Sequence, residues 1–369
     1  MPDSPHHQFG HPTPQSRTPA PLNLRVASLV GLALLCAASG CQRFDRLNQK
    51  RNPATQTQAN MAADSVGREP AIGGASGGKG TLSQARSLQL QGNYDAALAE
   101  FERAIETNPR LTLAYMGAAD IYRQRGDYNA AQTKYAQAAS IEPRNFNANY
   151  MNGLMLHLLN KLSEAVRAYL QALSVRPDDF NANLNVATAY LQLGEPQESL
   201  SFGQRAVQLN PKDAAARTNL GAVYAALNRH EEAVIEYQQA AELTELSAPL
   251  LLNLAESLGK TQRYGEMTNT LEQLVKTQPT AIAYERLGFS YFRSRQYPGA
   301  LGAFRKSLEI DPNHFPGLNG VGVCLLNQWK FSNETDETAR MEAVRALRRS
   351  VQIEPNQPKI LEMLGRYGR

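Results

Sequence analysis

Three asparagines, Asn185, Asn219 and Asn253, follow one another at intervals of 34 residues. A carboxamide side chain both donates and accepts hydrogen bonds, so it can pair with either side of a peptide group. A row of such amides would hold an extended polypeptide backbone without reading its side chains. Asparagine is also a common structural choice at one position of a repeat, and this second interpretation stays open.

The residue types that catalysis needs are not grouped in this chain. His157, His230 and His314 lie far apart, and no serine or aspartate is placed to complete a triad with any of them. No carboxylate pair stands out. The three cysteines form no CxxC pair, and we expect Cys324 to be an inert core thiol. We therefore expect no enzymatic activity, no metal site and no cofactor.

The asparagine spacing belongs to a wider pattern that prolines mark. Pro109, Pro143, Pro177 and Pro211 are spaced 34 residues apart. Pro279 and Pro312 follow with nearly the same spacing. A fixed period of 34 residues is the sequence signature of a helix–turn–helix repeat array. Proline suits the end of each unit because it has no amide hydrogen with which to continue a helix.

Small and aromatic residues recur in phase with the prolines. The second unit contains Tyr115, Ala119, Tyr122, Ala131, Tyr135 and Ala138, and the fifth contains Leu220, Gly221, Tyr224, Ala233, Tyr237 and Ala240. Small residues let two helices approach closely, and the larger ones fill the space between them. The pattern resembles the tetratricopeptide repeat (TPR) family. This resemblance implies an all-α solenoid of about eight helix–turn–helix units in a right-handed superhelix.

In this frame the units start at residues 78, 112, 146, 180, 214, 248, 281 and 315, so that an array over 81–357 precedes a capping helix over 358–369. Two departures stand out. Glu245 occupies the place of the proline at the end of the fifth unit. The eighth unit carries extra residues, 331–339, which we expect to form a loop between its two helices.

The resemblance also implies where a ligand would lie, because in this family the first helix of each unit lines the concave face. The residues that this frame places in the groove are Asn147, Tyr150, Leu154, His157, Asn181, Leu184, Asn185, Leu191, Asn219 and Asn253. Chaperone-binding members of the family use a clamp that includes lysine, and no lysine stands at the matching positions here. We therefore expect the groove to bind an extended segment of another kind of partner protein.

The first 80 residues have a different character. An apolar run over 26–38 follows Arg25 and is shorter than the roughly 20 residues that a membrane-spanning helix needs, so it predicts a secretory signal. The run ends in Ala38-Ser39-Gly40-Cys41, which resembles the lipobox of bacterial lipoproteins, although that family usually has leucine where Ala38 stands. The resemblance implies a lipid on Cys41. Ordinary signal cleavage and an uncleaved signal anchor are the alternatives.

These features divide the front of the chain into a leader with a signal peptide, 1–40, and a flexible tether, 41–80. If the organism is Gram-negative, Gln42 after the cysteine implies the periplasmic side of the outer membrane, since aspartate there favours retention in the inner membrane. The tether contains a Gly/Ser-rich stretch over 71–80 that lacks both a preceding strand and the Gly-Lys-Ser/Thr ending of a phosphate-binding loop, because Gly80 follows Lys79.

Charge separates the two parts of the chain. Residues 1–80 contain eight Lys and Arg against four Asp and Glu, and the remaining residues contain 30 of each sign. The repeat array is therefore neutral and lacks the basic surface typical of nucleic-acid binding.

Together these observations predict a protein–protein interaction scaffold at the bacterial cell envelope, held to a membrane by a lipid. The alternative is an accessory factor that recruits a cell-wall enzyme or serves a pilus or secretion complex. Pairing of two copies through end repeats also stays open.

Overall fold

The computed structural model describes residues 76–368, and every regular element in that range is an α-helix. Cys41, the signal sequence and the tether as far as residue 75 lie outside the described residues. The helices are α1 Ser76–Leu90, α2 Tyr94–Thr107, α3 Thr112–Gln124, α4 Tyr128–Ile141, α5 Phe146–Leu158, α6 Leu162–Leu173, α7 Phe180–Leu193, α8 Pro196–Leu209, α9 Ala214–Ala226, α10 His230–Leu243, α11 Ala248–Lys260, α12 Tyr264–Thr277, α13 Ala281–Arg293, α14 Tyr297–Ile310, α15 Phe315–Phe331, α16 Glu337–Ile353 and α17 Pro358–Tyr367.

The helices form eight antiparallel pairs followed by α17. We call the odd-numbered helices α1 to α15 the A helices and the even-numbered helices α2 to α16 the B helices. From α3 to α15, every A helix begins at the residue that the sequence period predicts. The first one begins earlier, at Ser76, so that the last five residues of the expected tether are helical.

Short polar side chains start many of these helices. Asp179 Oδ1 accepts a hydrogen bond from the backbone N–H of Ala182 at 2.9 Å, and Asp213 Oδ1 accepts one from Ala216 at 2.7 Å. Such caps satisfy one of the backbone donors that the first turn of a helix leaves without a partner.

A second device repeats at the start of the A helices. The fourth residue of the helix donates from its side chain to the carbonyl oxygen of the proline six residues earlier. The pairs are Tyr115 with Pro109, Asn149 with Pro143, Asn183 with Pro177, and Arg217 with Pro211. In α11, which follows Glu245 in place of proline, the fourth residue is the buried Leu251. The donor and the proline are therefore lost together.

An aromatic ring against a glycine closes the helix pairs. Tyr169 on α6 is fully buried, and an ideal Cβ built on Gly153 of α5 would lie 2.6 Å from its Cδ1 atom. Gly221 and Gly288 have the same relation to Tyr237 and Phe304. Glycine is therefore required at these positions, since any side chain would overlap the ring.

The expectation of a loop over 331–339 is wrong. The extra residues lengthen both helices of the last pair to 17 residues each, compared with 13 in α13 and 14 in α14, and only 332–336 connect them. The cause is burial, because Trp329 on the added turn of α15 and Ala339 on that of α16 belong to one core cluster.

Candidate functional site

The predicted groove residues lie on A helices that contact one another through their side chains. Between α5 and α7, Asn185 Nδ2 donates to the Tyr150 hydroxyl at 3.0 Å. Two helical turns further along both helices, His157 Nε2 lies 3.0 Å from Gln192 Oε1, so the ring nitrogen donates to the amide oxygen. These bonds join residues 35 positions apart and make the two helices one surface.

The same surface continues from α7 to α9. Asn219 Nδ2 donates to Thr188 Oγ1 at 3.0 Å, and that hydroxyl in turn donates to the Leu184 carbonyl oxygen at 2.8 Å. We call the side chains of α5, α7, α9 and α11 that lie on this surface the A-helix face. Thr188 and Gln192 belong to it and were missed in the sequence analysis, although both occupy positions that the repeat frame assigns to the groove.

The three asparagines spaced 34 residues apart, Asn185, Asn219 and Asn253, are not equivalent in the structure. Asn219 Oδ1 is enclosed and has no hydrogen-bond partner within the described residues, so the whole amide of Asn219 is turned between the repeats. In Asn185 the nitrogen is used and the oxygen has no partner in the part of the chain that the structure describes. Asn253 is half-buried and makes no hydrogen bond to any described residue. Only Asn185 and Asn253 therefore present free amide atoms.

Two aromatic residues and a histidine form the deepest part of the face. Tyr150 stacks on Phe146 with ring centroids 5.7 Å apart and lies 5.8 Å from the Tyr169 ring. Burial, together with the charge of Asp179, raises the pKa of Tyr150 to about 12. His157 meets the edge of Tyr169 at 6.2 Å, and burial lowers its pKa below the ordinary 6.5 in spite of the bond to Gln192. His157 is therefore neutral at pH 7.

The remaining predicted groove residues divide into three kinds. Leu154 and Leu191 are half-buried and offer apolar surface. Leu184 is only 6% exposed and packs with Ala206 and Ala216, so it supports the face from below. Asn147 and Asn181 are exposed at the starts of their helices, where Asn147 Oδ1 accepts from Arg176 Nη2 at 2.9 Å; these two residues form the rim.

The A-helix face is almost free of charged residues along three successive A helices. Helices α5 and α7 contain no Asp, Glu, Lys or Arg, and α9 contains only Arg217. Arg217 is 15% exposed, bonds to the Pro211 carbonyl oxygen and pairs with Glu236 at 2.8 Å. A count of charged residues in each helix would have revealed this.

The described residues contain neither a group of metal ligands nor a membrane-spanning helix. Across 76–368, no three His, Cys, Asp or Glu side chains are grouped so as to hold a metal ion. The same part of the chain has no helix with the length and apolar character that crossing a membrane requires.

The fold and the face define a solenoid of antiparallel helix pairs that presents one continuous surface. Family models described as "Tetratricopeptide repeat" match residues 82–148, 116–173, 178–245 and 281–314, and one described as "TPR repeat" matches 153–194. The chain belongs to the tetratricopeptide repeat family.

Similar solved structures have low sequence identity to this chain. A tetratricopeptide repeat protein from Parabacteroides merdae is 21% identical, with 70% of this chain and 99% of that chain covered and a TM-score of 0.47. YrrB, described as a TPR protein with an unusual peptide-binding site, is 22% identical, with 59% and 95% covered and a TM-score of 0.38. The pilF protein of Pseudomonas aeruginosa is 17% identical, with 55% and 92% covered and a TM-score of 0.45. No curated protein matches the chain.

Proposed function

We propose that this protein is a non-enzymatic scaffold that holds an extended segment of a partner protein on the A-helix face. The observation that carries the proposal is the continuity of that face across α5, α7 and α9, where side chains of successive A helices bond to one another. The A helices that form the face also carry half-buried leucines and free amide atoms. Surfaces of this composition gain affinity from apolar burial and orientation from a few polar atoms.

The asparagines have different roles in this proposal. Asn185 Oδ1 and the amide of Asn253 contact the backbone of the bound segment, because both are free to form hydrogen bonds. Asn219 does not contact the segment; it fixes α9 against α7 through Thr188. Leu154 and Leu191 contact apolar side chains of the partner.

The binding experiment compares two double variants of the full chain with wild type. Asn185→Ala with Asn253→Ala removes the free amides, whereas Asn129→Ala with Ile235→Ala removes an exposed amide and an exposed apolar side chain from the B helices α4 and α10. Each protein is used to capture solubilised membrane proteins, which are quantified by mass spectrometry. We expect a set of proteins recovered by wild type and by the B-helix variant to be depleted at least about tenfold with the A-helix variant, as expected for the loss of about 1.4 kcal/mol. Equal recovery by all three would contradict the proposal.

We also propose that the scaffold is attached to the cell envelope by a lipid on Cys41. The support is the sequence over 26–41, in which an apolar run ends in small residues followed by cysteine. Metabolic labelling with radioactive palmitate tests this attachment. We expect label in wild type and none in Cys41→Ala, and an unlabelled wild-type protein would show that the anchor does not exist.

A further inference from the structure

We infer that the partner segment held on the A-helix face carries no charged side chains over the stretch that contacts α5, α7 and α9, an inference that rests on the proposed function. The argument begins with the composition of these three helices. Their only charged residue, Arg217, is largely covered and is neutralised by Glu236. The polar groups on the surface are amides, hydroxyls and the neutral His157.

The energetics of desolvation then decide which partner fits. A charged side chain loses water when it is placed on a half-buried surface, and only an opposite charge or several hydrogen bonds can offset that cost. Outside the three helices, Asp179 acts on Tyr150 and Arg176 lies over the Phe146 ring at the rim. These two groups have opposite signs and interact with each other, so the face offers no excess of either charge to a partner. A segment with apolar and neutral polar side chains has a smaller desolvation cost, since amides and hydroxyls of the face can replace the water around its backbone groups.

The helices on either side show that this neutrality is local. On α3, Asp120 and Arg123 lie at the N-terminal boundary of the neutral stretch, and on α11, Glu256 and Lys260 lie at the C-terminal boundary. Both boundaries carry both signs, so neither attracts one sign of charge over the whole groove. The partner can therefore be charged outside the central stretch without penalty.

The width of the neutral stretch sets its length in the partner. Packed helices lie about 8–10 Å apart, so three A helices extend over roughly 20–30 Å. An extended chain covers about 3.3–3.6 Å per residue. The uncharged part of the segment is then about six to nine residues long.

The test uses an array of synthetic 16-residue peptides with identical flanks and a variable central eight residues. One class has no charge in the centre, one has two acidic residues there and one has two basic residues. Binding of the full chain is measured by fluorescence anisotropy at 50 and 500 mM NaCl. We expect the tightest binders to be neutral at the centre, to lose roughly tenfold in affinity for each central charge, and to change less than about twofold between the two salt concentrations.

Variants separate this inference from the proposed function. Leu191→Lys places a positive charge on the face, and Ile235→Lys places the same charge on α10, where the side chain is 50% exposed. We expect Leu191→Lys to weaken neutral peptides and to improve acidic ones, and Ile235→Lys to change neither. Circular dichroism confirms that both variants fold.

Three results are decisive. If peptides with a charged centre bind most tightly, and Leu191→Lys or Leu191→Glu abolishes that binding, the inference is wrong and the proposed function still holds. Peptide binding that neither Leu191 variant changes would contradict the proposed function. The absence of binding by every class would contradict both.

Discussion

The contact between Gly153 and Tyr169 shows how one residue sets the distance between the two helices of a unit. Tyr169 is buried without exposure, and its ring also packs against Tyr150 and His157. The ring that closes the pair therefore also supports the deepest part of the A-helix face. A change at Gly153 acts on stability and on the binding surface together.

Gly153→Ala should destabilise the protein by about 1–3 kcal/mol, because the added methyl group would lie 2.6 Å from a ring that has no room to move. Gly302→Ala is the matched control: it lies in α14 with nothing within 4 Å of its Cβ position. We expect the control to stabilise the helix by up to about 1 kcal/mol through helix propensity. Urea denaturation followed by circular dichroism measures both, and equal midpoints for the two variants would refute the packing argument.

His157 should make the stability of the protein depend on pH. Its folded pKa lies below 6.5, so as the pH falls the unfolded chain takes up a proton before the folded chain does. Stability is then complete above pH 6.5 and declines below it, by at most about 1.4 kcal/mol per pH unit for a single site. Between pH 7 and pH 5.5, the thermal midpoint of the His157→Gln variant should fall less than that of wild type.

The comparison with wild type isolates this histidine from the others. His230 and His314 also have lowered pKa values and remain in both proteins, so their effect cancels in the difference. Parallel pH curves for wild type and His157→Gln would mean that His157 titrates normally.

At the scale of elements, the connection between α10 and α11 is where the repeat departs from its own rule. Helix α10 ends at Leu243, Thr244 is extended with φ −143° and ψ 164°, and Ser247 caps α11. Glu245 is exposed and its backbone N–H donates to no backbone carbonyl among the described residues. A proline at this position would therefore break no backbone hydrogen bond.

Glu245→Pro should restore the repeat pattern and raise the free energy of unfolding by about 0.4–1 kcal/mol, because proline reduces the freedom of the unfolded chain. The extended Thr244 before it is the conformation that a following proline requires. Thr244→Pro is the control, since its φ of −143° is far from the −65° that proline adopts, and it should destabilise. The two thermal midpoints should move in opposite directions; a fall in both would show that the turn at Glu245 cannot accept proline.

The last helix pair shows a second effect at this scale. Most of the extra residues, 331–339, are polar, yet α15 and α16 each continue for about one more turn and bury Trp329 and Ala339. An insertion in a repeat array usually forms a loop. Here the contact between the two lengthened helices decides the outcome, and a count of extra residues could not show it.

At the scale of the whole molecule, each helix packs chiefly against helices that are next or next but one in the chain. The stability of such an array is approximately the sum of the units and their interfaces. Damage to one unit should therefore spread to its neighbours and no further.

Hydrogen exchange of Gly153→Ala tests this. We expect faster exchange in α5 and α6 and, to a smaller extent, in α4 and α7, with the peptides of α15 to α17 unchanged, because no substantial contact joins those regions. Faster exchange along the entire array would instead indicate that it unfolds as one cooperative body.

Much of this architecture could be predicted from the sequence, and the prediction of an all-α repeat solenoid is confirmed. The starts of seven A helices coincide with the predicted unit starts because prolines and capping residues recur at fixed positions in nearly every unit. The site was less predictable. Leu184 and Leu191 both fall at groove positions, yet Leu184 is buried against Ala206 and Ala216, since the exposure of a helical residue depends on the neighbouring helix.

The sequence by itself determined the helix pairs, the starts of the A helices from α3 to α15 and the neutrality of α5 and α7, because these depend on local periodicity and composition within each 34-residue unit. Only the tertiary structure decided which atoms of the A-helix face are free. The bonds from Asn185 to Tyr150 and from Asn219 to Thr188 join residues more than 30 positions apart. Such contacts depend on how one unit rotates against the next, and that rotation is set by the packing of side chains from both units.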